Sequence, residues 1–258
     1  MIVSVNLFQQ QTPEVQQKIA EQQKVMEHLY PILNDVPTLV FFTDDSQVDS
    51  LFEQQFIQLN DQPSILYSHD EQDYQTLIEG IGAIVLTADK VDNTQMMCQS
   101  LLTKVTDNQR VVFDGCDDIL KLVLSGDSKP YAICVQENRL SNLLSLSKET
   151  ISTMLPSEIM TDPLFEDVPF VFIYNEAGIG YLNHTDELYD VSIEHLDVSK
   201  LNHTGMLLGL AKGLSDEEKS TEEIVTDGIV CAISAIENQD VVFDKHFYKD
   251  KINVIKLA

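Results

Sequence analysis

The sequence is short of positive charge. Sixteen Lys and Arg stand against 42 Asp and Glu, a formal net charge of −26, and only Arg110 and Arg139 are arginine. Such a surface repels polyanions, which argues against nucleic acid and anionic membrane as partners. It also repels nucleotides and sugar phosphates unless a local basic pocket overrides the field, and rigid bidentate phosphate clamps are scarce with so few guanidinium groups. Solubility alone accounts for an acidic surface of this kind. Cysteine is sparse too: Cys98, Cys116, Cys134 and Cys231 are far apart and form no Cys-x-x-Cys pair. They read as reduced, mostly buried thiols in a cytoplasmic protein. No apolar run is long enough to span a bilayer, and Met1 to Asn6 reads as a strand before a Gln-rich polar stretch, not as a signal peptide. The histidines His28, His69, His184, His195, His203 and His246 show no metal-ligand spacing, and no Gly-x-Ser-x-Gly elbow occurs. A metal site and a serine-hydrolase site are therefore not expected.

What is present is a globular composition, with 43% hydrophobic and 22% charged residues over 258 positions. That suits one α/β domain, residues 1–258, with a sizeable core. Strand-like runs recur at Ile2 to Val5, Thr38 to Phe42, Ser64 to Tyr67, Ala83 to Leu86, Arg110 to Phe113 and Tyr131 to Val135. Helical patterns separate them: one from Thr12-Pro13 to about Leu33 with Thr12 as N-cap, one carrying Val48, Leu51, Phe52, Phe56 and Ile57, a short one over Asp70 to Glu79, then Thr94 to Val105 and Asp117 to Val123. Ile224 to Ile236 reads as an apolar helix and Ile252 to Ile255 as a last strand. Regular alternation of strand and helix argues for a mainly parallel sheet with helices on both faces. Asp114 and Asp117 end a strand and open a helix; capping that helix is their simplest role, and facing a crevice at the carboxyl edge of the sheet is the other.

The most informative stretch is Pro169 to Leu214. Phe170 to Tyr174 is a short apolar, aromatic run and reads as a buried strand. Gly178 and Gly180 break it. Tyr181-Leu182 and Leu188 to Ile193 flank a polar turn at Asn183 to Asp186. After Ser199 the period changes to helical, with Leu201, Met206, Leu207, Leu210 and Leu214 on one side and Gly205, Gly209 and Gly213 along it. A helix start in a turn beside a strand end is a general place to hold an anion.

This stretch resembles the signature region of the PfkB (ribokinase-like) carbohydrate kinases, in particular the 1-phosphofructokinase and tagatose-6-phosphate kinase branch. In that family a strand, a Leu-Gly-x-x-Gly turn and a hairpin lead to Gly-Ala-Gly-Asp, which opens a helix continuing Ser-x-x-x-Gly-x-x-x-Gly-Leu. Met206 to Leu214 is similar to the helix. The Gly-Ala-Gly-Asp turn falls on Leu201-Asn202-His203-Thr204, so Thr204 stands where the family has its general-base aspartate and His203 beside it. Further matches run through Arg110 to Lys121 and Pro130 to Leu144. The family's Lys-Pro-Asn becomes Cys134-Val135-Gln136, and Arg139 replaces the glutamate that follows. The sugar-binding Asn-Pro-Ala-x-Asp falls on Asn6 to Gln10, with Gln10 for the aspartate.

The resemblance implies a ribokinase-like three-layer α/β/α fold and, by family, ATP and Mg²⁺ as cofactors and a nucleotide or sugar phosphate as ligand. It makes Gly178, Gly180, Gly205 and Arg139 nucleotide-binding candidates, Asn6 and Gln10 substrate candidates, and Thr204 and His203 the occupants of the base region. The short connections imply that the β-lid of the family is deleted. Losses at Gln10, Gln136, Arg139 and Thr204 coincide at the family's chemical positions. The expectation is therefore a degenerate, non-catalytic homologue, with an active divergent kinase and a ligand-free interaction protein as the alternatives.

Overall fold

The computed structural model describes residues 2–8, 12–33, 36, 38–42, 81–88, 94–105, 108–175, 180–194, 201–235 and 251–257. The helices expected over Val48 to Ile57 and Asp70 to Glu79, the strand Ser64 to Tyr67, and Gln10 and Gly178 lie outside these residues.

Nine strands form one sheet in the order β2-β1-β3-β4-β5-β6-β7-β8-β9. They are β1 (Ile2–Phe8), β2 (Thr38–Phe42), β3 (Ala83–Ala88), β4 (Arg110–Gly115), β5 (Ala132–Gln136), β6 (Phe170–Tyr174), β7 (Gly180–His184), β8 (Glu187–Ile193) and β9 (Ile252–Lys256). All pairings from β2 to β6 are parallel, and β6 to β9 are joined antiparallel. The mainly parallel α/β sheet read from the sequence is the one observed.

Strand alternation divides the core into two layers, because successive side chains leave a strand on opposite faces. On one face Val3, Val5, Leu7, Ile84, Leu86, Val111, Phe113, Ile133 and Val135 pack under α2 (Thr94–Lys104), α3 (Asp117–Leu124) and the short helices α4 (Leu140–Leu143), α5 (Lys148–Thr153) and α6 (Pro156–Met160). On the other, Ile2, Ala83, Val85, Val112, Ala132, Cys134, Phe170, Phe172 and Tyr174 pack under α1 (Pro13–Leu33), α7 (His203–Leu214) and α8 (Thr221–Ser234). Burial on both faces is why these strands read as continuous apolar runs rather than alternating ones.

Helix ends follow their local chemistry. Thr12 Oγ1 accepts from Val15 N at 3.2 Å, as its N-cap position predicts. The helix continues past Pro31 to Leu33. Asn202 caps α7 by accepting from Gly205 N at 2.9 Å. Ser220 and Glu223 form a reciprocal capping box on α8, so that helix begins at Thr221, earlier than the apolar run from Ile224 suggested. The β7–β8 hairpin turns through Thr185 and Asp186, both with positive φ (50° and 66°). That is the geometry that matches strand twist across a two-residue loop.

Two helices cross unusually closely. A Cβ added to Gly205 would stand 2.6 Å from the Cys231 carbonyl oxygen, one on Gly209 2.3 Å from the Asp227 carbonyl oxygen, and one on Gly213 2.7 Å from Ile224 Cα. The glycine stripe of α7 is the surface on which the backbone of α8 lies.

Candidate functional site

The parallel strands end side by side, and alternation places their last polar residues under the start of α7. Asn6 (β1), Thr87 (β3), Asp114 (β4), Gln136 (β5) and Tyr174 (β6) share the helical face occupied by α1 and α7. This is the carboxyl edge of an open α/β sheet, where such folds bind ligands.

Arg139 organises the centre. It lies in the 3₁₀ turn Glu137–Arg139 that follows β5. Its Nε donates to Asp117 Oδ1 at 2.8 Å and its Nη1 to Asp114 Oδ1 at 3.1 Å. Its Nη2 donates to the Gly115 carbonyl. One guanidinium thus ties the end of β4 to the start of α3. Asn142 Nδ2 donates to the other oxygen of Asp117 at 3.1 Å. The α3 N-cap is Cys116, which makes no side-chain capping bond. Asp114 and Asp117 therefore serve an ion-pair cluster at the crevice, the second of the two roles open to them.

A second chain of contacts meets Asp114 from α7. His203 Nε2 lies 3.3 Å from Asp114 Oδ2. That contact is long and poorly aligned for a hydrogen bond, so it acts chiefly through charge. On the far side of the ring, Nδ1 is 2.7 Å from the Tyr174 hydroxyl, and the two rings stack with centroids 6.1 Å apart. Burial above all, with the nearby Cys134 and Asp114 adding, pushes the Tyr174 phenol well above its ordinary range, so it serves as a donor. Burial works against an ionised Asp114, but the charge of His203, and then the charge and hydrogen bond of Arg139, outweigh it and hold its carboxyl below the usual value.

Between α1 and this cluster is a cavity of about 450 Å³, walled by Phe8, Lys18, Gln22, Thr87, Asp114, Cys116, Asp117, Arg139, Thr204 and Leu207. Gln22 Oε1 is buried there with no hydrogen-bond partner among the described residues. A second cavity of about 400 Å³ lies across the ends of β5 and β6, walled by residues that include Glu137, Asn138, Ser141, Lys148, Tyr174 and Asn175.

The residues singled out from sequence separate into groups. Thr204 faces the first cavity and Arg139 forms its floor. His203 is adjacent, with both ring nitrogens facing protein groups. Asn6 is fully buried below the cavity, where its side-chain oxygen accepts from Thr87 Oγ1 and its amide donates to Ser4 Oγ at 3.3 Å. Gly205 sits against Cys231 in the α7–α8 contact. Gly180 opens β7, and a Cβ there would overlap the Ile173 carbonyl of the neighbouring strand. Sequence reading missed Tyr174, Gln22 and Thr87 as site residues. The signal for Tyr174 was available: Phe170, Phe172 and Tyr174 alternate onto one face, and the polar tip of the last one reaches the strand end.

These features define an open α/β protein of the ribokinase-like kinase fold. Comparison with solved structures bears on that fold directly. No family model matches the sequence. The pyridoxal kinase of Staphylococcus aureus, in complex with pyridoxal, is similar with a TM-score of 0.58 at 12% identity, over 100% of this chain and 99% of that one. A possible 1-phosphofructokinase of Thermotoga maritima is similar with a TM-score of 0.60 at 8% identity, over 99% and 82%. Phosphofructokinase-2 of Escherichia coli, in complex with fructose-6-phosphate, is similar with a TM-score of 0.53 at 12% identity, over 96% and 98%. At such identities the likeness is one of fold. The β-lid expectation concerns two connections. Only Gln9 to Thr12 lie between β1 and α1; most of the connection between β2 and β3 lies outside the described residues.

Proposed function

We propose that this protein is a degenerate homologue of the PfkB sugar-phosphate kinases that keeps their core and does not transfer phosphate. The observation that carries this reading is the state of Arg139. Standing where the resemblance puts a metal-placing glutamate, it is engaged by Asp114, Asp117 and the Gly115 carbonyl at once. A guanidinium there opposes a Mg²⁺ ion. Phosphoryl transfer relies on positioning, metal charge and a base for the attacking hydroxyl. Thr204, the residue that faces the cavity at the position of the family's aspartate, has a hydroxyl that does not ionise at neutral pH. Loss of a base alone removes on the order of 10²–10⁴ in rate.

The test is a calorimetric titration with Mg-ATP at low salt, paired with a transfer assay on fructose 1-phosphate and tagatose 6-phosphate. The expected result is no transfer above background. Robust ATP-dependent phosphorylation overturns the proposal. A second reading, an active divergent kinase, draws on the contact between His203 and Asp114, since a carboxylate-backed imidazole is a familiar base. It requires transfer that is lost in His203→Gln. Against it, His203 points both ring nitrogens at protein groups.

A further inference from the structure

We propose that Asp114 sets what the 450 Å³ cavity accepts: its carboxylate is a resident anion, held between Arg139 and His203, that bars phosphate and other anionic ligands. The inference rests on the reading above, in which the chain keeps the kinase core and does not transfer phosphate.

The cationic donors of Arg139 and His203 are already directed at carboxylates of this chain. A guanidinium presents its N–H groups in a planar fork that suits a carboxylate and a phosphate equally well. In this protein three of its five N–H groups are already taken, Nε by Asp117 at 2.8 Å, Nη1 by Asp114 at 3.1 Å and Nη2 by the Gly115 carbonyl. His203, the other group able to offer a cationic donor at this end of α7, directs Nε2 at the same Asp114 carboxylate. An arriving phosphate would meet the Asp114 and Asp117 carboxylates on either side of that guanidinium, with Lys18 as the further cation on the wall. In the first turn of α7 the Gly205 N–H is already taken by Asn202. What the cavity lacks points the same way. The buried Gln22 Oε1 is an acceptor without a donor among the described residues, and a fully ionised phosphate offers only further acceptors. The ligand that suits this wall is uncharged and carries O–H or N–H groups.

The experiment uses the full chain and inorganic phosphate as probe, read by calorimetry and by the shift in melting temperature at constant ionic strength. Wild type should show no specific stabilisation by millimolar phosphate. Asp114→Asn keeps the shape and removes the resident charge that faces Arg139 Nη1 and His203. It should bind phosphate about tenfold or more tightly than wild type, and adding Arg139→Gln should abolish the gain. Asp117→Asn, at the partly buried start of α3, is the independent variant should Asp114→Asn fail to fold, and should show a smaller gain. Phosphate binding by wild type as tight as by the variants, or no gain in whichever variants fold, overturns the proposal. The outcomes are separable from those of the transfer assay: phosphorylation by wild type defeats the non-catalytic reading even if the variants gain phosphate. Absence of gain defeats this inference even if no transfer is seen.

Discussion

The Tyr174 hydroxyl lies 2.7 Å from Nδ1 of His203, and the opposite ring nitrogen faces the Asp114 carboxylate. A carboxylate opposite Nε2 requires a proton on that nitrogen, and Nδ1 of the neutral ring then accepts from Tyr174. The neutral ring should therefore be the Nε2–H tautomer, visible in long-range ¹H–¹⁵N spectra. Tyr174→Phe should remove the Nδ1 partner, change the Nδ1 shift and cost about 1–2 kcal/mol in urea unfolding. An unchanged Nδ1 shift in that variant would rule out the hydrogen bond.

Asp114 gives the pH dependence its sign. Its folded carboxyl is held below the ordinary value of 3.8. The stability it contributes is therefore fully present above that value and is lost as pH falls through the lower folded one. Stability curves of wild type and Asp114→Asn should be separated above about pH 4 and converge as the pH falls further. Curves that stay parallel into the acid range would show that the carboxylate is not preferentially ionised in the folded protein.

Arg139→Met should be costly in a different way. It leaves Asp114 and Asp117 facing each other without their shared cation. Both are about a fifth to a quarter exposed, so solvent softens the loss, and a destabilisation of about 2 kcal/mol is expected. Denaturant midpoints at pH 7 would check it, and the deficit should shrink in high salt, which screens the remaining carboxylates.

Lys219 and Asp227 form the other ion pair of consequence. Their atoms are 2.5 Å apart, and the Asp227 side chain is only 3% exposed. Lys219→Met leaves a buried carboxylate without that partner and should cost about 3 kcal/mol. The double variant Lys219→Met, Asp227→Leu should recover part of it, because the charge that needed a partner is gone. A single variant as stable as wild type would mean that Asp227 is satisfied without Lys219.

Gly209 and Gly228 make a matched pair for the α7–α8 contact. In Gly209→Ala the new methyl meets the Asp227 backbone at 2.3 Å and 2.8 Å, whereas in Gly228→Ala it meets the ends of Leu210 and Met206 at 2.9 to 3.1 Å. Alanine favours a helix over glycine by about 1 kcal/mol. Backbone cannot yield as side-chain ends can, so Gly209→Ala should be net destabilising by about 1–3 kcal/mol, and Gly228→Ala close to neutral. Thermal unfolding of the two variants decides it.

Much of the fold was legible because it follows from local chemistry. The apolar runs at Ala83 and Phe170, the Thr12-Pro13 helix start and the alternation of strands with helices each have a short-range cause. The site was less legible because its contacts join residues far apart in the chain. Asp114 and Asp117 looked like caps for the next helix, and only the fold brings Arg139 up to them from beyond β5. Gly205 read as a nucleotide-binding candidate; its neighbour is Cys231, which no local pattern could supply. The stretch most similar to a kinase signature, Met206 to Leu214, is thus matched where two helices touch and departs where chemistry would occur.

The strand order has a consequence for how the chain is made. Apart from β2, which lies outside β1, each described strand lies beside an earlier one and extends the sheet in a single direction from β3 to β9. A polypeptide emerging from the ribosome can therefore add strands in the order of their synthesis, with no finished pairing opened to admit a later one. Sequential growth shortens the time for which a long hydrophobic edge stands unprotected, the interval in which nascent sheets aggregate. β9, the last of the described strands, closes the series on β8.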